Sequence, residues 1–293
     1  MKAAILFDSS AYLEASLKER SDLFQVDFTL ALPNGEIITE STDESHLENF
    51  FEQWMQEGTE QPKTAQPNVQ DYHTAFQKII DEGYDTVFGV YLSSSVSGTL
   101  QTAYSIGQEY KDKLTIHNFD AVGLSVNMEQ LIVQMTRMID AGKSYEKIKD
   151  EMTWLMDQSR FFIAIEKHDN LIKGGRGRAL NELENNSFKT LPVLEYVPGD
   201  MPVLTKTFRT NKNRNRSLAE LTADYQKKYP DYKIQVGIGH TLSEDKALRL
   251  KSAIQELLPE QSVEIRMIGT AFCSHLGKNA LSLGLMPVTK EVE

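Results

Sequence analysis

The sequence predicts an α/β protein of two domains, and three observations lead there. Apolar, β-prone runs alternate with helical stretches through the first half. A hairpin pattern breaks that alternation in the second half. The 293 residues, 40% of them hydrophobic, suffice for two cores. Alternating strand and helix predict a mostly parallel sheet flanked by helices, whereas a hairpin among strands and helices predicts a mixed sheet. The change falls near Asp157 to Arg160, dividing the chain into 1–158 and 159–293.

Taken in order, "AAILF" reads as a strand entering a loop that carries Asp8, Ser9 and Ser10. "FQVDFTLALPNGEIITE" reads as two strands around an Asn34-Gly35 turn, a strong short hairpin signal. "SHLENFFEQWMQEG" has helical apolar spacing, with Ser45 placed to cap it. "KTAQP" is a loop ending at Pro67, and a helix follows from about Asn68 to Gly83. "DTVFGV" is a strand, and "YLSSSVSGTLQTAY" turns from it into a helix with Leu100, Ala103, Tyr104 and Ile106 on one face. "KLTIHNFD" is another strand, and residues 124–157 supply two helices separated near Gly142.

In the second half "RFFIAIE" is a strand, and "LIKGGRGRALNELE" is a glycine-rich turn followed by a helix. "LPVLEYVPGDMPVLTKTFRT" reads as two strands joined across Pro198-Gly199-Asp200. A polar helix, the strand "YKIQVGIGHT", a helix from about Ser243 and the strand in "VEIRMIGTAF" come next. In "IGTAFCSHLGKNALSLGL" His275 stands between a strand and an apolar, helix-like segment.

Composition excludes several classes. A formal charge of −11 opposes broad electrostatic attachment to nucleic acid or an anionic membrane. The single cysteine, Cys273, precludes an intrachain disulfide and fits a reducing compartment. Asp8 cuts the N-terminal apolar run short of a signal peptide, and no apolar run approaches the roughly 18 residues of a membrane helix. A cytoplasmic protein with no stable membrane insertion is expected. No CxxC pair, HExxH or EF-hand loop is present, so neither a metal nor a cofactor is expected.

The hydroxyl-rich turn is the first candidate site. A helix N-terminus offers unpaired N–H groups and a positive dipole end, which attract an anion. The lysine of a phosphate-cradling G-x-x-x-x-G-K-[ST] loop is absent, so neutral hydroxyls there match a singly charged carboxylate better. The competing explanation is that Ser93 to Ser97 merely cap the helix. In parallel sheets ligands sit beyond the carboxyl ends of strands, where Asp8, Ser93 to Ser97 and Asp120 all fall. Thr64 adds a hydroxyl, and His275 has the chemistry to donate to a carboxylate or hold a proton for it; each also has a plain structural reading. Two basic islands stand out in the acidic chain: Lys173, Arg176 and Arg178, then Lys206, Arg209, Lys212, Arg214 and Arg216. They are either solvated faces or a docking surface for an acidic or phosphate-bearing partner.

"ILFDSSAYL", "KTAQP", "YLSSSVSGTLQTA", "IKGGR" and "IGTAFCSHLGKNALSLG", in that order, resemble the spaced motifs of the DegV family over essentially the whole chain. Two positions depart from its pattern: Ala65 stands where a serine is usual, and Leu276-Gly277-Lys278-Asn279 where Gly-Pro-Gly is. The resemblance implies a bacterial two-domain α/β protein holding a long-chain fatty acid in a tunnel between the domains. It implies a non-catalytic, fatty acid-binding subunit that presents the carboxylate to a separate fatty acid kinase subunit. ATP-dependent phosphorylation there gives an acyl-phosphate for phospholipid synthesis. Carried over by residue, the carboxylate-binding groups are Thr64, the Ser93-Ser94 pair (Ser94 first) and His275, with Arg176 and Arg209 serving kinase docking. A head-group site of uncharged hydroxyls and one imidazole is the expectation.

Two other readings stand beside this one. The first is a serine-dependent lipid or ester hydrolase using Ser94 or Ser97 with His275 and Asp8 or Asp120, although the G-x-S-x-G elbow is missing. The second is a binder of a small phosphorylated metabolite.

Overall fold

The computed structural model describes residues 1–56, 58–166, 169–177, 180, 190–197 and 200–288. Four parallel strands form the first sheet, in the order β2 (Leu23–Val26), β1 (Ala3–Asp8), β6 (Thr86–Tyr91), β7 (Thr115–Asp120). Both faces are covered, so β1 and β6 are buried at every position. Alternate side chains of β1 go to opposite layers. Ala4 and Leu6 meet Tyr72, Phe76 and Ile79 of α3 (Val69–Asp81) and Ala103 and Ile106 of α4 (Thr99–Gly107). Ile5 and Phe7 meet Met128, Leu131 and Met135 of α5 (Val126–Asp140) and Ile148 and Met152 of α6 (Tyr145–Gln158).

The second sheet has six strands and mixed direction. Its order is β10 (Asp200–Phe208), β9 (Leu191–Val197), β8 (Arg160–Ala164), β13 (Leu281–Val288), β11 (Lys233–His240), β12 (Val263–Met267). Only β11 and β12 pair in parallel. One face carries α8 (Asn211–Lys228) and α9 (Glu244–Leu257), with Leu218, Leu250 and Ile254 against Phe162, Ile238 and Leu283. The other face meets α5 and α6, and Met286 and Val288 share their core with the first sheet. Gly284 lets α5 approach, because a Cβ there would lie 2.6 Å from Asn127 Oδ1. The result is a stack of helices, sheet, helices, sheet and helices.

A third, small antiparallel sheet orders β4 (Ile37–Thr39), β3 (Thr29–Ala31) and β5 (Lys63–Ala65). It shares a core with α2 (Glu44–Trp54), α10 (Thr270–Leu276) and Phe161, Ile163 and Tyr196 of the second sheet. The short helices α1 (Ala15–Lys18) and α7 (Asp169–Lys173) complete the described α-helices.

Several sequence expectations change. "FQV" belongs to β2 in the parallel sheet, and the hairpin begins only after Asp27. Asp43, not Ser45, caps α2 by accepting from His46 N. "KTA" is a strand rather than a loop; three residues are too few to show an alternation. The segment after His275 is the strand β13, buried along its length, and an unbroken apolar run does not distinguish strand from helix. Arg214 is not part of a solvated face. It is fully buried on α8, and none of its three guanidinium nitrogens has a hydrogen-bond partner among the described residues. The Pro198-Gly199 turn, Arg178 and the helix expected after it lie outside the described residues.

Candidate functional site

Three elements distant in sequence meet where the small sheet abuts the second half. Pairing of Leu30 with Thr64 puts Thr64 on an edge strand facing α10. The start of α10 is tied to the chain after β4, since Thr270 N donates to Ser41 O at 3.0 Å and Ser41 N to Thr270 Oγ1 at 3.1 Å. His275, at the other end of that helix, lies with Nε2 2.9 Å from Thr64 Oγ1. The glycine-rich turn after α7 closes the third side. Arg176 there donates from Nη1 to Gly174 O at 2.6 Å and from Nε to Val96 O at 3.2 Å, which ties it to the hydroxyl loop.

These groups line a cavity of about 340 Å³ that also includes Ser97. Its walls are apolar, with Phe28, Leu92 and Val96 from the first half and Leu171, Phe272 and Leu276 from the second. Phe28 and Tyr12 each meet Phe272 edge-on, at centroid distances of 6.0 and 6.4 Å. A volume of this size belongs to the range of small-molecule sites, and apolar walls with a few convergent polar groups are their usual lining. A second cavity of about 520 Å³ lies on the outer side of Thr64, Arg176 and His275 and is bordered by Lys63 and Lys173. Burial, with Arg176 adding to it, pushes the His275 pKa down to about 4, so the imidazole is neutral at physiological pH.

The structure brings Thr64, His275 and Arg176 together but places the serine pair elsewhere. Ser94 lies on the exposed side, donating from Oγ and N to Asp120, the latter at 2.8 Å. Ser93 is buried with its Oγ 2.9 Å from Ser95 Oγ. Neither lines the cavity; Ser97 is the loop serine that does. The polar lining is also not free of charge, since Arg176, expected at a docking surface, belongs to it. Arg209 follows β10 on an exposed stretch and is not among the cavity's residues.

The hydrolase constellation does not assemble among the described residues. Asp120 holds Ser94, Asp8 accepts from Ser10 and Leu92 N, and Ser97 Oγ is 2.6 Å from Thr99 Oγ1. His275 meets a threonine instead of any of these. Also among those residues, no cluster of His, Cys, Asp or Glu is arranged to hold a metal, and no helix is long and apolar enough to cross a membrane. Sequence reasoning missed Glu40, a half-buried carboxylate bonded to Ser9 and Tyr12 (both 2.5 Å), for which no motif gives a signal. It also missed Tyr196, a lone aromatic on a strand.

The DegV family model, described as "Uncharacterised protein, DegV family", matches residues 2–288. The chain belongs to the DegV family. It is 27% identical over 288 residues to a DegV domain-containing protein of Streptococcus pneumoniae, covering 98% of this chain and 100% of the relative. Its fold matches that of a fatty acid binding DegV family protein from Streptococcus agalactiae with a TM-score of 0.86, at 24% identity and covering 98% and 99% of the two chains. A stearic acid-binding protein from Eubacterium ventriosum matches with a TM-score of 0.85 at 20% identity, covering 97% and 98%. At these identities the solved structures establish the DegV fold, with the two α/β halves described above.

Proposed function

We propose that this DegV chain binds a long-chain fatty acid in the cavity between its halves, with the carboxylate at the Thr64, Ser97, His275 and Arg176 end. The observation that carries the reading is the cavity itself: apolar walls from both halves, with the hydroxyls of Thr64 and Ser97, the His275 imidazole and the Arg176 guanidinium in the same lining. Structures of the same fold that are named as fatty acid-binding and stearic acid-binding proteins support the ligand class. A tail in such walls gains ~0.8 kcal/mol per buried CH₂, while its head group needs hydrogen bonds to replace those of water.

The carboxylate is then presented to a separate kinase subunit, which phosphorylates it with ATP. The outer cavity supports this step. It shares Thr64, Arg176 and His275 with the inner one, so a head group held there is approachable from the side of Lys63 and Lys173. Arg209 on its exposed stretch serves docking of that subunit. The division into 1–158 and 159–293 places all strands of the parallel and small sheets in one domain and all strands of the mixed sheet in the other.

Mass spectrometry of the organic extract of the purified, denatured protein tests the reading. Co-purified free fatty acid in near-stoichiometric amount is expected. Its absence, together with stoichiometric labelling of one serine by a fluorophosphonate, overturns the proposal in favour of the hydrolase.

A further inference from the structure

Resting on the reading above, we infer that the Gln66 side chain is a strap across the mouth of the cavity, tied to Thr102 over the bare backbone of Gly98. The ligand passes on that side when the tie opens. The place of the mouth follows from exposure. Among the described residues that line the cavity, only Ala65, Gln66 and Gly98 are exposed, and the apolar walls of Phe28, Leu92, Leu171, Phe272 and Leu276 are buried. On the other side Thr64, Arg176 and His275 stand between this cavity and the outer one. A tail passing there would displace the hydrogen bonds of a guanidinium, which is costly. The rim between the end of β5 and the start of α4 carries no charge, so a tail entering first meets no such cost. Its carboxylate then comes to rest beside Thr64, just inside that rim.

Gln66 crosses that rim. Its Nε2 donates to Thr102 Oγ1 at 2.6 Å, joining the end of the small sheet to the first turn of α4. A Cβ on Gly98 would lie 2.5 Å from Gln66 Oε1, 3.5 Å from Cδ and 3.8 Å from Nε2, so the carboxamide occupies the space a side chain would take. Gly98 has a φ of −81°, which any residue adopts, so glycine serves here by leaving room and not by its conformational freedom. Pro67 comes next and is buried, and a following proline favours an extended backbone at Gln66. Opening is therefore a rotation of the side chain alone. One exposed hydrogen bond favours the tied form only about fivefold over the open one. The open fraction multiplies entry and exit alike, so the strap sets the rates of exchange and leaves affinity untouched.

Stopped-flow mixing of the full-length protein with a fluorescent long-chain fatty acid tests this through Thr102→Val, which removes the acceptor at a residue outside the cavity lining. Association and release should each quicken about fivefold, with Kd within about twofold of wild type. Gly98→Ala, whose new methyl group displaces the carboxamide, should quicken both rates likewise. Unchanged rates in both variants, or a changed Kd at unchanged rates, overturn the inference. A readout without ligand keeps the strap separate from the fatty acid. Leu92→Cys adds a thiol to the lining, whereas the native Cys273 is buried outside it. Alkylation of the added thiol by iodoacetamide should quicken about fivefold when Thr102→Val is combined with it, with Cys273 unchanged. A wild type that binds no fatty acid but a variant that shows this acceleration removes the ligand and keeps the strap. Fatty acid binding with neither exchange nor alkylation quickened removes the strap and keeps the ligand.

Discussion

Two groups of hydroxyls at neighbouring strand ends have opposite fates. At the carboxyl ends of the parallel strands, Ser10 donates to Asp8, Ser9 to Glu40 and Ser94 to Asp120, so each is spent on a carboxylate of the chain itself. Across the small sheet, Thr64 meets a neutral imidazole with Arg176 close by. An incoming carboxylate is repelled where a carboxylate already accepts the donors and is welcome where the partner is neutral and the nearby charge positive. The difference teaches that a hydroxyl-rich loop is not by itself an anion site. What decides is the company each hydroxyl keeps.

The two groups also have opposite pH signatures. Burial raises Asp8 to about 6 and Glu40 to about 7, above their unfolded values. The unfolded chain therefore releases these protons first, and stability from this group falls as pH rises from about 4 to 7. Burial lowers His275 to about 4, so the unfolded chain takes up its proton first, and that stability is lost as pH falls from about 6.5 to 4.

The largest expected effect comes from breaking the carboxylate side. Asp8→Ala strands the Ser10 and Leu92 N–H donors and should cost roughly 3 kcal/mol, lowering Tm by roughly 10 °C in calorimetry. Next, Glu40→Gln should remove up to ~3 kcal/mol of pH dependence, and its denaturation free energy should gain on wild type as pH rises from about 4.5 to 7. His275→Asn should instead gain on wild type between pH 6.5 and 4; slopes of the same sign would break the comparison. Arg214, a buried cation with Glu166 near it but no hydrogen-bond partner among the described residues, should be better replaced: Arg214→Met is expected to stabilise by ~2 kcal/mol in urea titrations. Smaller still, Thr64→Val should weaken fatty acid binding about tenfold. Ser94→Ala should change affinity by no more than about twofold, since its hydroxyl is bound to Asp120. If those two results were exchanged, the head group would have to be placed on the serine turn.

Much of the fold was legible because its signals are local. Gly83 and the Asn34-Gly35 pair marked the end of α3 and a hairpin turn, and short β-prone apolar runs marked β1 and β6. Elements without a usable period were lost or misread: the three-residue β5 and the all-apolar β13. In the site, motif resemblance pointed to Thr64, the Ser93-Ser94 pair and His275 for a carboxylate and to Arg176 for docking, whereas the cavity is lined by Thr64, Ser97, His275 and Arg176. Neighbouring hydroxyls on one turn look alike in sequence, and only their direction separates them.

The sequence alone determined the alternation of elements, the change of character near residue 158, an acidic chain with a single thiol, and the residue types available to hold a carboxylate. The tertiary structure decided which of them line the cavity. It set Thr64 beside a histidine 211 positions away, gave Ser94 to Asp120 and pressed Gly174 against an imidazole. Hydrogen-bond partnership and burial depend on distances of a few ångströms between groups far apart along the chain, and no local pattern encodes those.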